Sequence, residues 1–141
     1  MTSNTRVSSL VLSLIGLAVS VYLTISHYST GLLVCAESSV VDCATVTSSE
    51  QSELLGVPVA LLGALFFLFL TALCLPWAWR RRELDWVRLG AVGVGVLFVV
   101  YLVAAEFVLI GKICLWCTVV HVVTLALAGV LVTGALRRGS L

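Results

Sequence analysis

Charge is scarce in this chain. Only 11% of its 141 residues are Asp, Glu, Lys or Arg, whereas 61% are hydrophobic. A soluble domain of this length needs more polar surface than that, so the balance excludes one. There is no glycine-rich phosphate-binding loop, no internal repeat and no basic stripe suited to nucleic acid. Nor is there a Ser-His-Asp set that the topology would bring together. Residues 28–56 contain no Lys or Arg at all.

What fills the chain instead is four apolar runs, roughly Val7–His27, Val57–Trp79, Trp86–Ile110 and Ile113–Leu136. Each is near the ~20 residues that a bilayer crossing needs. Backbone in lipid must satisfy its own hydrogen bonds, so these runs are expected to be helices. The expected fold class is an all-α membrane protein, a four-transmembrane-helix bundle forming one domain over residues 1–141. A cysteine-bearing outer loop is expected over residues 28–56, with a short interfacial helix from Val46 to Leu55. Ser48 or Ser49 would stand near the start of that helix and Gly56 would end it, while Pro58 would open the second span. The first run is longer than a signal core and no small-x-small site follows it, so it is read as retained.

The basic residues fix an orientation. Arg6, Arg80, Arg81, Arg82, Arg88, Arg137 and Arg138 all fall on one side if four spans are counted, with Lys112 the single exception. The positive-inside rule places that side, and both termini, in the cytoplasm. Cys35, Cys43, Cys114 and Cys117 then emerge on the opposite side, where disulfides persist. Cys74 lies near the cytoplasmic end of the second span and reads as a packing residue. Trp77 and Trp79 are expected at the headgroup level there, and Gly90, Gly93 and Gly95 offer close approach to a neighbouring helix. Glu106 is the one carboxylate inside an apolar run. It reads first as a side chain snorkelling to the headgroups, and second as a proton donor near a site.

The chemistry concentrates in Ile113-Cys114-Leu115-Trp116-Cys117 and continues to His121. Helical spacing puts Cys114, Cys117 and His121 on one stripe, and the helix N-terminus favours a thiolate there. A lone Cys-x-x-Cys is ambiguous between redox and metal roles. Structural zinc wants two close cysteine pairs on a compact knuckle, which this arrangement does not offer, so no metal is expected. Two structural disulfides rank second. A relay ranks first: Cys35 and Cys43 on a polar loop meet a dithiol protein, and Cys114 and Cys117 pass the electrons on by thiolate exchange. The acceptor that abounds beside a membrane helix is a quinone, which takes two electrons and two protons. Cys117, one turn deeper and on the His121 face, is expected to face that quinone, and Cys114 to exchange with the loop.

These residues give the chain a resemblance to the vitamin K epoxide reductase family, in its bacterial homologues. The resemblance rests on the helix count, the Cys35-x7-Cys43 spacing, the hydroxyl residues that follow, the Gly-x-Pro lead-in to the second span, and Cys114-Leu-Trp-Cys117. It implies an integral protein of the bacterial cell membrane, active as a thiol:quinone oxidoreductase that drives disulfide formation. It implies menaquinone or ubiquinone as electron acceptor and a separate thioredoxin-like or DsbA-like protein as partner. It also implies that Ser49 and His121 reach the quinone carbonyls, with Trp116, Leu62 and Phe66 walling the ring. Val59 and Ala60 stand where animal members carry an Asn, which favours quinone over vitamin K epoxide. The DsbB type of four-helix disulfide generator has the opposite order of cysteine pairs. The competing reading is a non-catalytic membrane subunit stapled by two disulfides.

Overall fold

The computed structural model describes residues 3–29, 40–47 and 49–139. Its long helices are α1 (Ser3–Tyr28), α3 (Val59–Leu73), α4 (Leu84–Ala104) and α5 (Leu115–Arg138), with a short α2 (Cys43–Thr47) between the first two. α1 packs on α3 and α5, and α4 packs chiefly on α5 and less on α3. Among the described residues, three stretches are long and apolar enough to cross a membrane: Ser3–Tyr28, Leu84–Ile110 and Leu115–Arg138. α3 is apolar but has only 15 residues.

The bundle closes because α1 offers it a stripe of small side chains. Its buried residues are Ser9, Ser13, Gly16, Ser20, Leu23 and Ser26, spaced three and four apart on one face. A Cβ at Gly16 would collide with the Phe67 ring, so glycine is what lets α3 lie close. Two of the hydroxyls are satisfied locally: Ser13 Oγ donates to the Ser9 carbonyl at 2.8 Å, and Ser9 Oγ donates to that of Thr5 at 2.8 Å, whereas the buried Ser26 Oγ has no partner among the described residues. Above this stripe lies the main core, with Phe67, Leu70, Leu73, Cys74, Trp79, Val92, Val123, Leu127 and Leu131. Of the three glycines expected to admit a neighbour, only Gly95 does so. A Cβ there would stand 2.7 Å from Phe66 Cζ, whereas Gly90 and Gly93 have nothing within 4 Å.

Three sequence expectations are corrected. The helix expected over Val46–Leu55 is instead α2, a 3-10 turn (Glu50–Ser52) and a hairpin of β1 (Glu53–Leu54) with β2 (Val57–Pro58). The two hairpin loop residues, Leu55 and Gly56, have φ of 56° and 81°, the sign that a type I′ turn requires at both positions. The fold is therefore mostly helical rather than all-α. Second, the run to Trp79 is not one helix. α3 ends at Leu73, and a 3-10 turn (Pro76–Arg80) follows, since Pro76 lacks the N–H to continue an α ladder. Trp79 turns inward to 2% exposure and donates from Nε1 to the Cys74 carbonyl at 2.9 Å, while Trp77 stays exposed. Third, α4 runs into a π turn (Ala105–Ile110) closed by a 2.8 Å bond from the Gly111 N–H to the Glu106 carbonyl. Gly111, at φ 74°, stops it.

The arginine end of the bundle holds a buried ion pair. Arg88 Nη1 lies 2.7 Å from Asp85 Oδ1, both side chains 1% exposed. Arg88 Nε donates to the Leu73 carbonyl at 2.8 Å, and its guanidinium centre sits 3.8 Å from the Trp79 ring centroid. Arg138 Nη1 reaches Asp85 Oδ2 at 3.4 Å from the far end of α5.

Candidate active site

At the opposite end, α5 begins just after Cys114. This residue is the helix N-cap, in extended conformation, and its Sγ accepts the Cys117 N–H at 3.3 Å. The N-cap position is one that accepts backbone donors, which is what a thiolate there would use. Ahead of it the backbone is stitched to the loop. Asp42 N–H donates to the Ile113 carbonyl at 2.9 Å, and Ile113 N–H donates to that of Val40 at 2.9 Å, a parallel bridge between Val41 and Ile113. This register brings Cys43 beside Cys114. Both are fully buried and form one cluster with Val46, against which Trp116 and Cys117 pack.

Cys43 is disulfide-bonded, and Cys114 and Cys117 are free thiols, as is Cys74 in the core. Cys35 and Ser48 lie outside the described residues. α2, which carries Cys43, is capped by Asp42: its Oδ1 accepts the Thr45 N–H at 3.0 Å and its Oδ2 the Thr45 hydroxyl at 2.6 Å. These two bonds hold the Asp42 carboxyl below its usual range.

Below the thiols lies a cavity of about 360 Å³ inside the bundle. Ser20 and His27 of α1, Phe66 of α3, Gly95 of α4, Glu106 of the π turn, and Cys117 and His121 of α5 are on its wall, which is otherwise largely apolar. The helical spacing of Cys117 and His121 is what aims both inward. Leu62 and Ser49 also line it. The Ser49 hydroxyl donates to the Val46 carbonyl at 2.7 Å, so it faces the cavity as an acceptor. Trp116 is not on the wall; its ring meets Tyr22 edge-on at 5.1 Å between centroids. Cys114 is not on the wall either. Among the described residues no hydrogen bond reaches the His121 ring, although the residue is 6% exposed.

Two wall residues were missed or misplaced by the sequence. Glu106, read as snorkelling outward, is 4% exposed and inside. The π turn over Ala105–Ile110, which a regular α-helix does not contain, carries it inward. His27 at the end of α1 faces the cavity and pairs through Nε2 with Glu53 Oε1 of the hairpin at 3.1 Å. No sequence signal linked those two. Among the described residues, no three His, Cys, Asp or Glu side chains gather into a metal-holding group.

Long apolar helices around a buried dithiol and an apolar cavity define an integral membrane protein with redox chemistry at one end. The sequence pattern described as the vitamin K epoxide reductase family matches residues 7–132, and the chain belongs to that family. A search of curated proteins found no match. The family performs thiol oxidoreduction linked to quinone and generally works with a thioredoxin-like partner.

Proposed function

We propose that this protein oxidises a thioredoxin-like dithiol protein outside the cytoplasm and passes the electrons through two cysteine pairs to a membrane quinone, driving disulfide formation. The observation that carries this reading is the joint placement of Cys43, Cys114 and Cys117. A disulfide-bonded Cys43 is packed against the free thiol of Cys114, and Cys117 leads from there into the cavity.

The parts divide the work. Cys43 has no exposed surface, so the partner exchanges at the loop pair's other sulfur, for which Cys35 is the candidate. Reduced Cys43 then attacks Cys114 of the oxidised Cys114–Cys117 pair and releases the Cys117 thiol toward the acceptor, and the loop pair's other thiol resolves the Cys43–Cys114 mixed disulfide. A quinone supplies a two-electron sink when it is bound. The cavity suits its ring in size and in its apolar lining, with Leu62 and Phe66 on the wall. The free His121 ring is the donor for one carbonyl, because an unmade bond to a buried carbonyl costs about 1–3 kcal/mol. Ser49, its proton committed to Val46, is available to a hydroquinone O–H as acceptor. Trp116 supports the site by fixing α5 against Tyr22 rather than by touching the ring.

The same reading takes α3 with its 3-10 extension as the fourth crossing. Arg6, Arg80 to Arg82, Arg137 and Arg138 then lie on the cytoplasmic side with both termini. The experiment is thiol alkylation in membranes depleted of quinone. Reduced Cys114 and Cys117, and with them a reduced loop pair, should accumulate and reoxidise when quinone is returned. A redox state indifferent to quinone would leave a stapled, non-catalytic subunit.

A further inference from the structure

One buried ionisable group at this end takes no part in the relay just described. Glu106 is 4% exposed, and among the described residues no hydrogen bond or ion pair reaches its carboxyl. It stands on the same wall as Cys117 and His121. Ile110 of the same π turn packs against the cluster of Cys43, Val46 and Cys114. The inward position of Glu106 is built by the backbone: the π turn buries Ala105 and Glu106 and turns Phe107, Val108 and Leu109 outward, at 64%, 78% and 65% exposure. π turns of this kind occur often at functional sites. Asp85, by contrast, is buried among cations that hold it. A carboxyl kept unpaired at membrane depth and facing a cavity is a functional group by default.

We propose that Glu106 is the proton-transferring residue of the quinone step, taking the Cys117 proton and returning it to the reduced quinone. The inference rests on the relay reading above. In the net reaction two S–H bonds break, and one S–S bond and two O–H bonds form. The electron pair leaves through Cys117 sulfur to the quinone. The Glu106 carboxylate accepts the Cys117 proton as that pair departs, then gives it to one quinone oxygen. The Cys114 proton supplies the second O–H bond. Glu106 ends as it began, so the site is ready for another turnover.

The other titratable groups on the cavity wall are His27 of α1 and Cys117 and His121 of α5; α3 and residues 46–52 contribute none. His27 is engaged by Glu53. The test uses the full chain in proteoliposomes with a quinone and a reduced thioredoxin-like protein, assayed across pH. Glu106→Gln should lower kcat about 100-fold with the quinone KM unchanged, and should erase the acid limb of the profile, since Gln cannot be protonated out of action. Glu106→Asp should restore most of the rate and retain an acid limb, displaced from the wild-type position. Wild-type kcat and pH profile in Glu106→Gln would overturn the inference. So would a raised KM with equal impairment in Gln and Asp, which marks a packing role. If Glu106→Gln does not fold, Glu106→Asp decides: a shifted acid limb supports the role, and an unshifted one overturns it. Wild-type protein that reduces no quinone would overturn the relay itself, an outcome seen before any variant is compared.

Discussion

The two ends of this bundle bury polar groups under opposite terms. At the arginine end, Asp85 and Arg88 are each 1% exposed, and each is held by several partners. At the cysteine end, Glu106 and His121 are nearly as buried, face a cavity, and have no hydrogen-bond partner among the described residues. A buried charge that is paired serves the fold, since removing one partner leaves the other stranded. A buried polar group without a partner weakens the fold and is free to meet a ligand. The difference assigns structure to one end and chemistry to the other.

That contrast breaks first at the thiols. Cys117→Ser should abolish quinone reduction while accumulating a Cys43–Cys114 mixed disulfide, read on non-reducing gels, because Cys114 has lost its own disulfide partner and the adjacent Cys43 is the sulfur it can still pair with. Cys114→Ser should abolish turnover without that species. Activity retained in Cys117→Ser but lost in Cys114→Ser would reverse the assignment.

At the other end the expected loss is of stability. Arg88→Ala removes the closest cation of Asp85, leaving it Arg138 at 3.4 Å, and uncovers Trp79; it should cost about 3 kcal/mol. Thermal unfolding in detergent measures it, with quinone KM unchanged in whatever fraction stays folded. A variant as stable as wild type would remove the contrast.

His121 sharpens the comparison at a smaller scale. His121→Phe should raise the quinone KM about tenfold, the effect of one lost hydrogen bond, whereas His121→Tyr keeps a donor and should stay near wild type. Neither should shift the unfolding temperature as Arg88→Ala does. Equal KM in all three would make His121 a packing residue.

The smallest effect belongs to the cap of α2. The Thr45 bonds lower the Asp42 carboxyl below its ordinary 3.8, so the cap is fully present above that pH and is lost as pH falls through the lowered value. The protection factor of the Thr45 amide, taken relative to intrinsic exchange at each pH, should fall only in that acid window, and Thr45→Ala should widen the window upward. A protection factor that does not change with pH would show that α2 is held by its neighbours alone.

The long helices were legible because hydropathy and length are enough to mark them, and α1, α4 and α5 stand within a few residues of the expected spans. The stripe of Cys117 and His121 was legible for the same reason, since α spacing is regular. What escaped the sequence is what departs from that regularity. Leu55 adopts a positive φ that its side chain disfavours, so nothing announced a hairpin there. The break after Leu73 folds Trp79 over the core, against the usual interfacial place of tryptophan. The π turn changes which residues face inward, and Glu106 was misread with it. Trp116 was expected at the ring because it lies between the two cysteines, yet one position along a helix is about 100° around it, enough to point the ring at Tyr22.

The Val41–Ile113 bridge bears on the speed of the exchange proposed above. Two backbone hydrogen bonds hold the chain just ahead of Cys43 and Cys114 in register. Exchange between these sulfurs is then no longer a search by a tethered loop. In the proposed relay it is a pre-aligned intramolecular step, of the class whose effective molarity reaches about 10⁵–10⁸ M. On that reading the slow event would lie outward, in the arrival of the partner, and the rate of disulfide formation would follow partner concentration before it is limited by transfer within the protein.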